Sequence, residues 1–122
     1  MDLLTVAKLI NGKIKAIEVE RNKLETLANN KARAEAEYDR ELAVTIIKLK
    51  TGTPITVDGN EIVNPPATII ERIARGAVWE AKLRCETANG LYKATISNIS
   101  ALESQMTGYQ SINKYLKEID GE

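Results

Sequence analysis

Residues 78–116 read VWEAKLRCETANGLYKATISNISALESQMTGYQSINKYL and contain the pattern that decides the fold. Larger and mostly apolar side chains recur there at alternating spacings of three and four residues. These residues are Val78, Ala81, Cys85, Ala88, Tyr92, Thr95, Ile99, Leu102, Met106, Tyr109, Asn113 and Leu116. Such spacing keeps side chains on one face of an α-helix, as in coiled coils. We therefore predict a long helix with this face, the inner face, buried against a neighbour.

A second set of residues in the same stretch is uniformly small. It repeats with the same rhythm, offset by two residues, which places it about 200° around the helix. We call it the small-residue stripe, and its members are Gly90, Ala94, Ser97, Ala101, Ser104, Gly108 and Ser111. Between Thr87 and Asn113 only Lys93 and Glu103 are charged, and the centres of protein interfaces are depleted of charge. The stripe is predicted to be an oligomer interface; the alternative is a polar surface that faces water.

The composition indicates one helical domain over residues 1–122. The chain has 17 basic and 17 acidic residues, so its net charge argues against a general polyanion binder. Phe is absent, and aliphatic residues with Ala must fill the core, which suits helix packing. A single Cys excludes an internal disulfide and fits the reducing cytoplasm. The N-terminus lacks the features of a signal peptide, and no apolar run is long enough to predict a membrane span.

The first long helix is predicted over residues 13–50. Its apolar seam consists of Ile14, Ile17, Leu24, Ala28, Tyr38, Leu42, Ile46 and Leu49. The sequence leaves open whether Asn11-Gly12 breaks this helix, although a lone Gly costs only about 1 kcal/mol there, which favours continuity. The middle of the helix carries Ala28, Ala32 and Ala36 among charged residues. This segment is interpreted as a solvated surface, with close approach of another backbone as the alternative.

The centre of the chain is predicted to form a compact tip. Thr51-Gly52-Thr53-Pro54 ends the first helix, because Gly and Pro commonly follow a helix C-terminus. β-Branched residues on both sides of Asp58-Gly59-Asn60 predict a β-hairpin over residues 53–64. Thr68 and Glu71 have the spacing of a capping box, which predicts a short helix over residues 68–75 that ends near Gly76. The second long helix is predicted over residues 77–118.

The predicted fold class is mainly α. Two long helices of similar length, joined by a compact connection, are expected to fold back as an antiparallel hairpin with the β-hairpin at its tip. Such a hairpin leaves the small-residue stripe exposed, and a symmetric dimer is the simplest way to cover it. The expected product is an oligomeric helical bundle.

The sequence offers little for catalysis. It has no His, and the lone Cys85 lies on the inner face, where a buried structural thiol is expected. Glu35, Glu37, Asp39 and Glu41 form an acidic run, but successive members, two residues apart, lie on different faces of a helix, and basic residues surround them. We interpret the run as solvated rather than as a metal site. No enzyme activity, cofactor or metal is predicted.

One group of basic residues provides an alternative function. An antiparallel hairpin would gather Lys48, Lys50, Arg72, Arg75, Lys82 and Arg84 near one pole. Such a basic pole could bind the phosphates of a nucleic acid. Favourable placement of Lys at a helix C-terminus and neutralisation by nearby Glu residues explain the same pattern without a ligand. Trp79, one position off the inner face, is expected to pack partly into the core at this pole, with a role as a partner anchor as the alternative.

Four segments carry a resemblance to a known group. They are Tyr38 to Leu49 (YDRELAVTIIKL), Ile73-Ala74-Arg75-Gly76, Leu91-Tyr92-Lys93-Ala94, and Ala101 to Ile112 (ALESQMTGYQSI). In these segments the chain resembles small proteins of unknown function carried by phages and prophages, although the hairpin insert from Thr53 to Asn64 departs from the group. The group has no established activity, so the resemblance assigns no site residue.

The resemblance implies a mobile-element setting, in which small proteins commonly act by binding. Together with the residue patterns, it predicts a non-catalytic oligomeric protein of the host cytoplasm that binds itself and a host or phage protein, for example as an inhibitor of host defence. A nucleic-acid-binding accessory of recombination or replication is the alternative. No membrane partner is expected.

Overall fold

The computed structural model describes residues 1–120 and is mainly helical. Helix α1 spans Leu3–Lys50, strands β1 and β2 span Ile55–Val57 and Asn60–Ile62, and a 3-10 turn spans Ala67–Ile69. Helix α2 (Ile70–Ala77) and the long helix α3 (Trp79–Asp120) complete the chain. The predicted packing of a long N-terminal helix against a long C-terminal helix is confirmed. Within residues 1–120, no helix has the length and apolar character needed to cross a membrane.

Helix α1 begins ten residues earlier than the predicted bound at residue 13. Asn11 and Gly12 lie inside it, so the pair does not break the helix. The start is capped by Asp2, whose Oδ1 accepts a hydrogen bond of 2.7 Å from the backbone N–H of Thr5. This bond satisfies one of the free N–H groups of the first turn. The same bond and the nearby N-terminal charge lower the pKa of the Asp2 carboxyl.

Helix α1 ends at the predicted Thr51-Gly52 signal. Gly52 has a φ of +76°, and the N–H of Thr53 donates to the carbonyl of Lys48 at 2.9 Å. These two features form a Schellman-type end, in which a left-handed glycine lets the chain reverse over the last turn. The side chain of Asn64 closes over Gly52, with its Oδ1 2.9 Å from the position of a Cβ.

The predicted β-hairpin is present, with a tighter turn than expected. Ile55 pairs with Ile62 and Val57 with Asn60, so the turn contains only Asp58 and Gly59. Their φ values of 48° and 78° are those of a type I′ turn, the form that matches the twist of the two strands. The second strand therefore begins at Asn60, a residue that the sequence pattern assigns to the turn.

The predicted capping box before the short helix is wrong. Neither the 3-10 turn nor α2 has a side-chain cap hydrogen bond, and Glu71 instead bonds Arg75 at 2.7 Å. Gly76 lies inside α2, and the irregular residue is Val78, whose φ is −102°. The N–H of Val78 still donates to Ala74 and its carbonyl still accepts from Lys82, both at 3.1 Å. The connection between α2 and α3 is therefore a single residue.

The chain contacts divide into two compact units. The tip unit comprises residues 29–90. Its core consists of Leu49, Ile70 and Ala74, against which Leu42, Ile46, Ile55, Ile62 and Ile73 pack. The hairpin is thus held by apolar contact with helix ends. Glu41 lies 3.4 Å from Arg84, while Leu49 contacts α2, so α1 and the following helices run antiparallel here.

The terminal unit comprises residues 1–28 together with 91–120. Val6, Ile17, Thr95 and Ile99 are buried in it. Arg21 on α1 forms a salt bridge of 2.7 Å with Glu103 on α3. This unit contains two helical segments and no further element to cover them.

The α1 seam differs from the predicted one in its polar members. Ile14 is 40% exposed, whereas the half-buried position beside it belongs to Lys13. Glu20 and Lys31 are also half-buried, because the aliphatic stems of long charged side chains can cover apolar surface. In the middle of the helix Ala34 is buried, Ala28 is half-buried, and Ala32 and Ala36 are exposed; the last two therefore lie on a solvated surface in the single chain.

Candidate interaction surfaces

The inner face of α3 is buried as the sequence predicted. Every residue of the alternating pattern from Val78 to Leu116 is buried or half-buried, including Cys85, Thr95 and Ile99. The hydroxyl of Thr95 donates to the carbonyl of Leu91 at 3.0 Å, which allows this polar side chain to be buried. The inner face is therefore the surface that holds α3 within the single chain.

The small-residue stripe lies exposed on α3. Gly90, Ala94, Ser97, Ala101, Ser104, Gly108 and Ser111 are all exposed, and α3 continues through both glycines without a break. Apart from the helix itself, no atom lies within 4 Å of a Cβ built on Gly90 or Gly108. Glycine costs about 1 kcal/mol relative to alanine in a helix interior, and nothing in the described part of the chain makes use of the space that these two leave.

The surroundings of the stripe carry little free charge. Glu103 is held by Arg21, which leaves Lys93 as the other charged residue between Thr87 and Asn113. Two hydroxyls beside or within the stripe bond inside the helix: Thr107 donates to the carbonyl of Glu103 at 3.0 Å and Ser111 to that of Thr107 at 3.1 Å. A partner could bury these hydroxyls at low cost, since their hydrogen bonds are already made.

Large apolar side chains flank the stripe. Leu91, Ile96 and Ile112 are exposed, and Leu83 and Tyr115, beyond its two ends, are 58% and 62% exposed. Trp79 is 55% exposed, so the chain covers less than half of its surface. These residues add apolar surface to a helix side that α1 does not cover.

An open groove of about 490 Å³ runs along the terminal unit beside the stripe. It is lined by Ala16, Val19 and Glu20 of α1 and by Asn98, Ala101, Leu102 and Gln105 of α3. The α1 side of this groove is not among the surfaces predicted from the sequence, although Val19, a large apolar residue off the seam, is a usable signal. Ala101 belongs both to the stripe and to the groove, so the two surfaces are continuous.

The predicted basic pole is divided in the structure. All of its six side chains, Lys48, Lys50, Arg72, Arg75, Lys82 and Arg84, are exposed. Lys48 lines one depression of the tip unit together with Arg40 and Glu41. Arg72 and Arg75 line a different depression, together with Thr68 and Glu71.

Half of the basic pole is neutralised by carboxylates. Arg75 pairs with Glu71 at 2.7 Å, Lys82 with Glu86 at 3.0 Å and Arg84 with Glu41 at 3.4 Å. The hydrogen bond that Lys82 donates to the Glu86 carboxylate, together with the charge of Glu86, raises the pKa of Lys82. The Nζ of Lys82 also lies 5.0 Å from the centre of the Tyr38 ring. Glu71 raises the pKa of Arg75 in the same way. These pairs reduce the positive potential available to a phosphate.

Cys85 is buried, and two members of the acidic run are paired with basic side chains. The thiol of Cys85 is buried on the inner face. In the acidic run, Glu35 pairs with Lys31 at 3.4 Å and Glu41 with Arg84. No cluster of three or more Cys, Asp or Glu side chains within residues 1–120 has the geometry to hold a metal ion.

Comparison of the chain with protein-family models, with curated proteins and with solved structures finds no match.

Proposed function

We propose that this protein is a non-catalytic, self-associating helical protein that acts by binding another protein. The observation that carries the proposal is the exposed small-residue stripe on α3, a helix whose inner face is already buried by its own chain. A helix of this kind has a second surface suited to a close neighbour, because small side chains let two backbones approach.

The exposed area of the chain supports self-association. A compact monomer of 13.5 kDa exposes roughly 6,500 Å² by the scaling of folded proteins, whereas this chain exposes 8540 Å². The excess is about 2,000 Å², while a stable interface removes about 600 to 1,000 Å² from each partner. The chain therefore has enough surplus surface for a stable contact between copies.

The resemblance to small phage and prophage proteins suggests the setting for a further partner. We propose a host or phage protein in the host cytoplasm, held by surface contact. Trp79 on the tip unit, more than half exposed, is suited to anchor such a partner, since Trp is enriched among residues that dominate binding energy.

Light scattering on the eluate of a size-exclusion column tests the proposed assembly. At tens of micromolar we expect a mass of at least two chains. A mass of one chain at that concentration would contradict the proposal.

Gly108→Leu tests whether the stripe is the contact. A Leu side chain there would separate two backbones, so we expect the mass of a single chain with the helical circular dichroism retained. Gly12→Leu is the matched control, because Gly12 is also an exposed helical glycine with free space around it but lies on α1. The control should keep the mass of the unaltered protein; equal behaviour of the two variants would remove the stripe from the proposal.

A further inference from the structure

We propose that the occupant of the exposed side of α3 is a second copy of α3 running antiparallel. Its two-fold axis would lie at the level of Ile99 along the helix, on the side opposite to that buried residue. This inference rests on the proposed self-association and adds the orientation of the partner. It concerns the outer face, by which we mean the small-residue stripe extended by Leu83 and Thr87 at one end and by Tyr115 at the other.

The two ends of the outer face carry side chains of similar size at equal distances from its centre. Leu83 and Tyr115 are equally far in sequence from Ile99, and both are large and more than half exposed. Gly90 and Gly108 are likewise equally far from Ile99. In an antiparallel pair about this centre, each Leu83 would face the Tyr115 of the other copy, and each Gly90 would face a Gly108.

The positions between the two ends of the outer face are also matched in pairs of similar size. Thr87 and Ser111, two hydroxyl residues, are equally far from Ile99, as are Ala94 and Ser104. Ser97 and Ala101 are the innermost pair. The whole face alternates spacings of three and four residues, the arrangement that keeps successive layers of two helices in contact. Every layer of the antiparallel pair therefore joins residues of similar size.

One pair of charged residues beside the outer face is complementary in this arrangement. Glu86 and Lys114 flank opposite ends at nearly equal distances from Ile99, and both are exposed. Each Glu86, which Lys82 already contacts at 3.0 Å, would lie near the Lys114 of the other copy. A symmetric pair contains two such contacts, one at each end.

A parallel pair would place every residue against its own copy. That arrangement requires no relation between the two ends of the helix, and it would not bring Glu86 near Lys114. Residues of similar size lie at equal distances on either side of Ile99, and Glu86 and Lys114 place opposite charges near the two ends. Both features favour the antiparallel orientation.

Disulfide cross-linking distinguishes the two orientations. In a Cys85→Ala background, one preparation carries Leu83→Cys and an affinity tag, and a second carries Tyr115→Cys without the tag. After mixing, dissociation, reassociation and mild oxidation, we expect a disulfide between a tagged and an untagged chain. Each preparation alone should give little cross-linked product, because like cysteines would lie about 48 Å apart along the antiparallel pair, far beyond disulfide reach.

Charge reversal gives a second measurement that does not depend on cysteine. Glu86→Lys and Lys114→Glu should each weaken the dimer, by about two- to fivefold for a surface pair, and the double reversal should restore its dissociation constant. A double variant that is weakened by the sum of the single effects would contradict the antiparallel contact.

The outcomes separate this inference from the proposed function. A dimer that forms disulfides within each single preparation would overturn the orientation and leave self-association intact. A dimer without any cross-link, and without rescue by the double reversal, would place the contact elsewhere. A protein that stays monomeric would overturn both proposals.

Discussion

The tip unit and the terminal unit bury their apolar residues in different ways. Among the described residues, seven buried apolar residues lie in the tip unit and three in the terminal unit, which are Val6, Ile17 and Ile99. The tip unit surrounds Leu49 with side chains from α1, α2 and both strands. The terminal unit has only two helical segments, each covering one side of the other. The comparison indicates that the tip unit contains most of the buried apolar core of the described chain.

Leu49→Ala, in the core of the tip unit, should have the largest effect on the free energy of unfolding. Leu49 is 2% exposed at the centre of the tip core, so the substitution should lower the free energy of unfolding by about 2–5 kcal/mol. Urea unfolding followed by circular dichroism measures the change. Ile47→Ala, two residues away and 60% exposed, is the control and should change it by less than about 0.5 kcal/mol. Equal effects at the two positions would mean that the tip core does not carry the stability.

Two glycine substitutions should move stability in opposite directions. Gly52→Ala places a Cβ on a left-handed residue, beside Asn64 Oδ1, and should lower the free energy of unfolding by about 1–2 kcal/mol. Gly12→Ala, in the open interior of α1, should raise it by up to about 1 kcal/mol. Thermal unfolding of both variants at one protein concentration measures the pair. Destabilisation by both would show that Gly12 has a packing role that the single chain does not reveal.

The smallest expected effect concerns the first turn of helix α1, which Asp2 caps. The lowered pKa of Asp2 means that its cap contributes stability above the ordinary carboxyl pKa, and that this contribution disappears as the pH falls through the lowered value. The Thr5 amide shift, followed by NMR against pH, should report this loss. Asp2→Asn should keep the cap without the titration, whereas Asp2→Ala should lose the cap at neutral pH. A Thr5 amide that is unchanged in Asp2→Ala would contradict the cap.

Residue spacing was sufficient to predict the inner face of α3, the hairpin turn at Asp58-Gly59 and the end of α1 at Gly52. Each of these depends on local chemistry: helical periodicity, left-handed backbone at glycine, and the short β-branched strands beside the turn. The capping box was wrong because Thr68 lies inside the 3-10 turn rather than at the N-cap of α2, and Glu71 pairs with Arg75 instead. Spacing alone does not decide between a bond to the backbone and a bond to a neighbouring side chain.

The candidate surfaces were predicted less completely. The small-residue stripe is visible in the sequence, but Val19 and Glu20 line the adjoining groove from another helix, and their placement depends on the register of α1 against α3. The basic pole was predicted from chain topology alone. Its division into two depressions, each with a glutamate, depends on side-chain positions that topology does not fix.

The continuity of α1 through Asn11-Gly12 has a chemical consequence. An asparagine followed by glycine deamidates readily when the glycine nitrogen can attack the side-chain amide, and this attack needs a backbone that is not helical. Because the helix encloses both residues, the ring closure can proceed only while this part of the chain is open. The isoaspartate and aspartate that accumulate together at position 11 in stored protein would thus record, irreversibly, how much time the start of the helix has spent unwound.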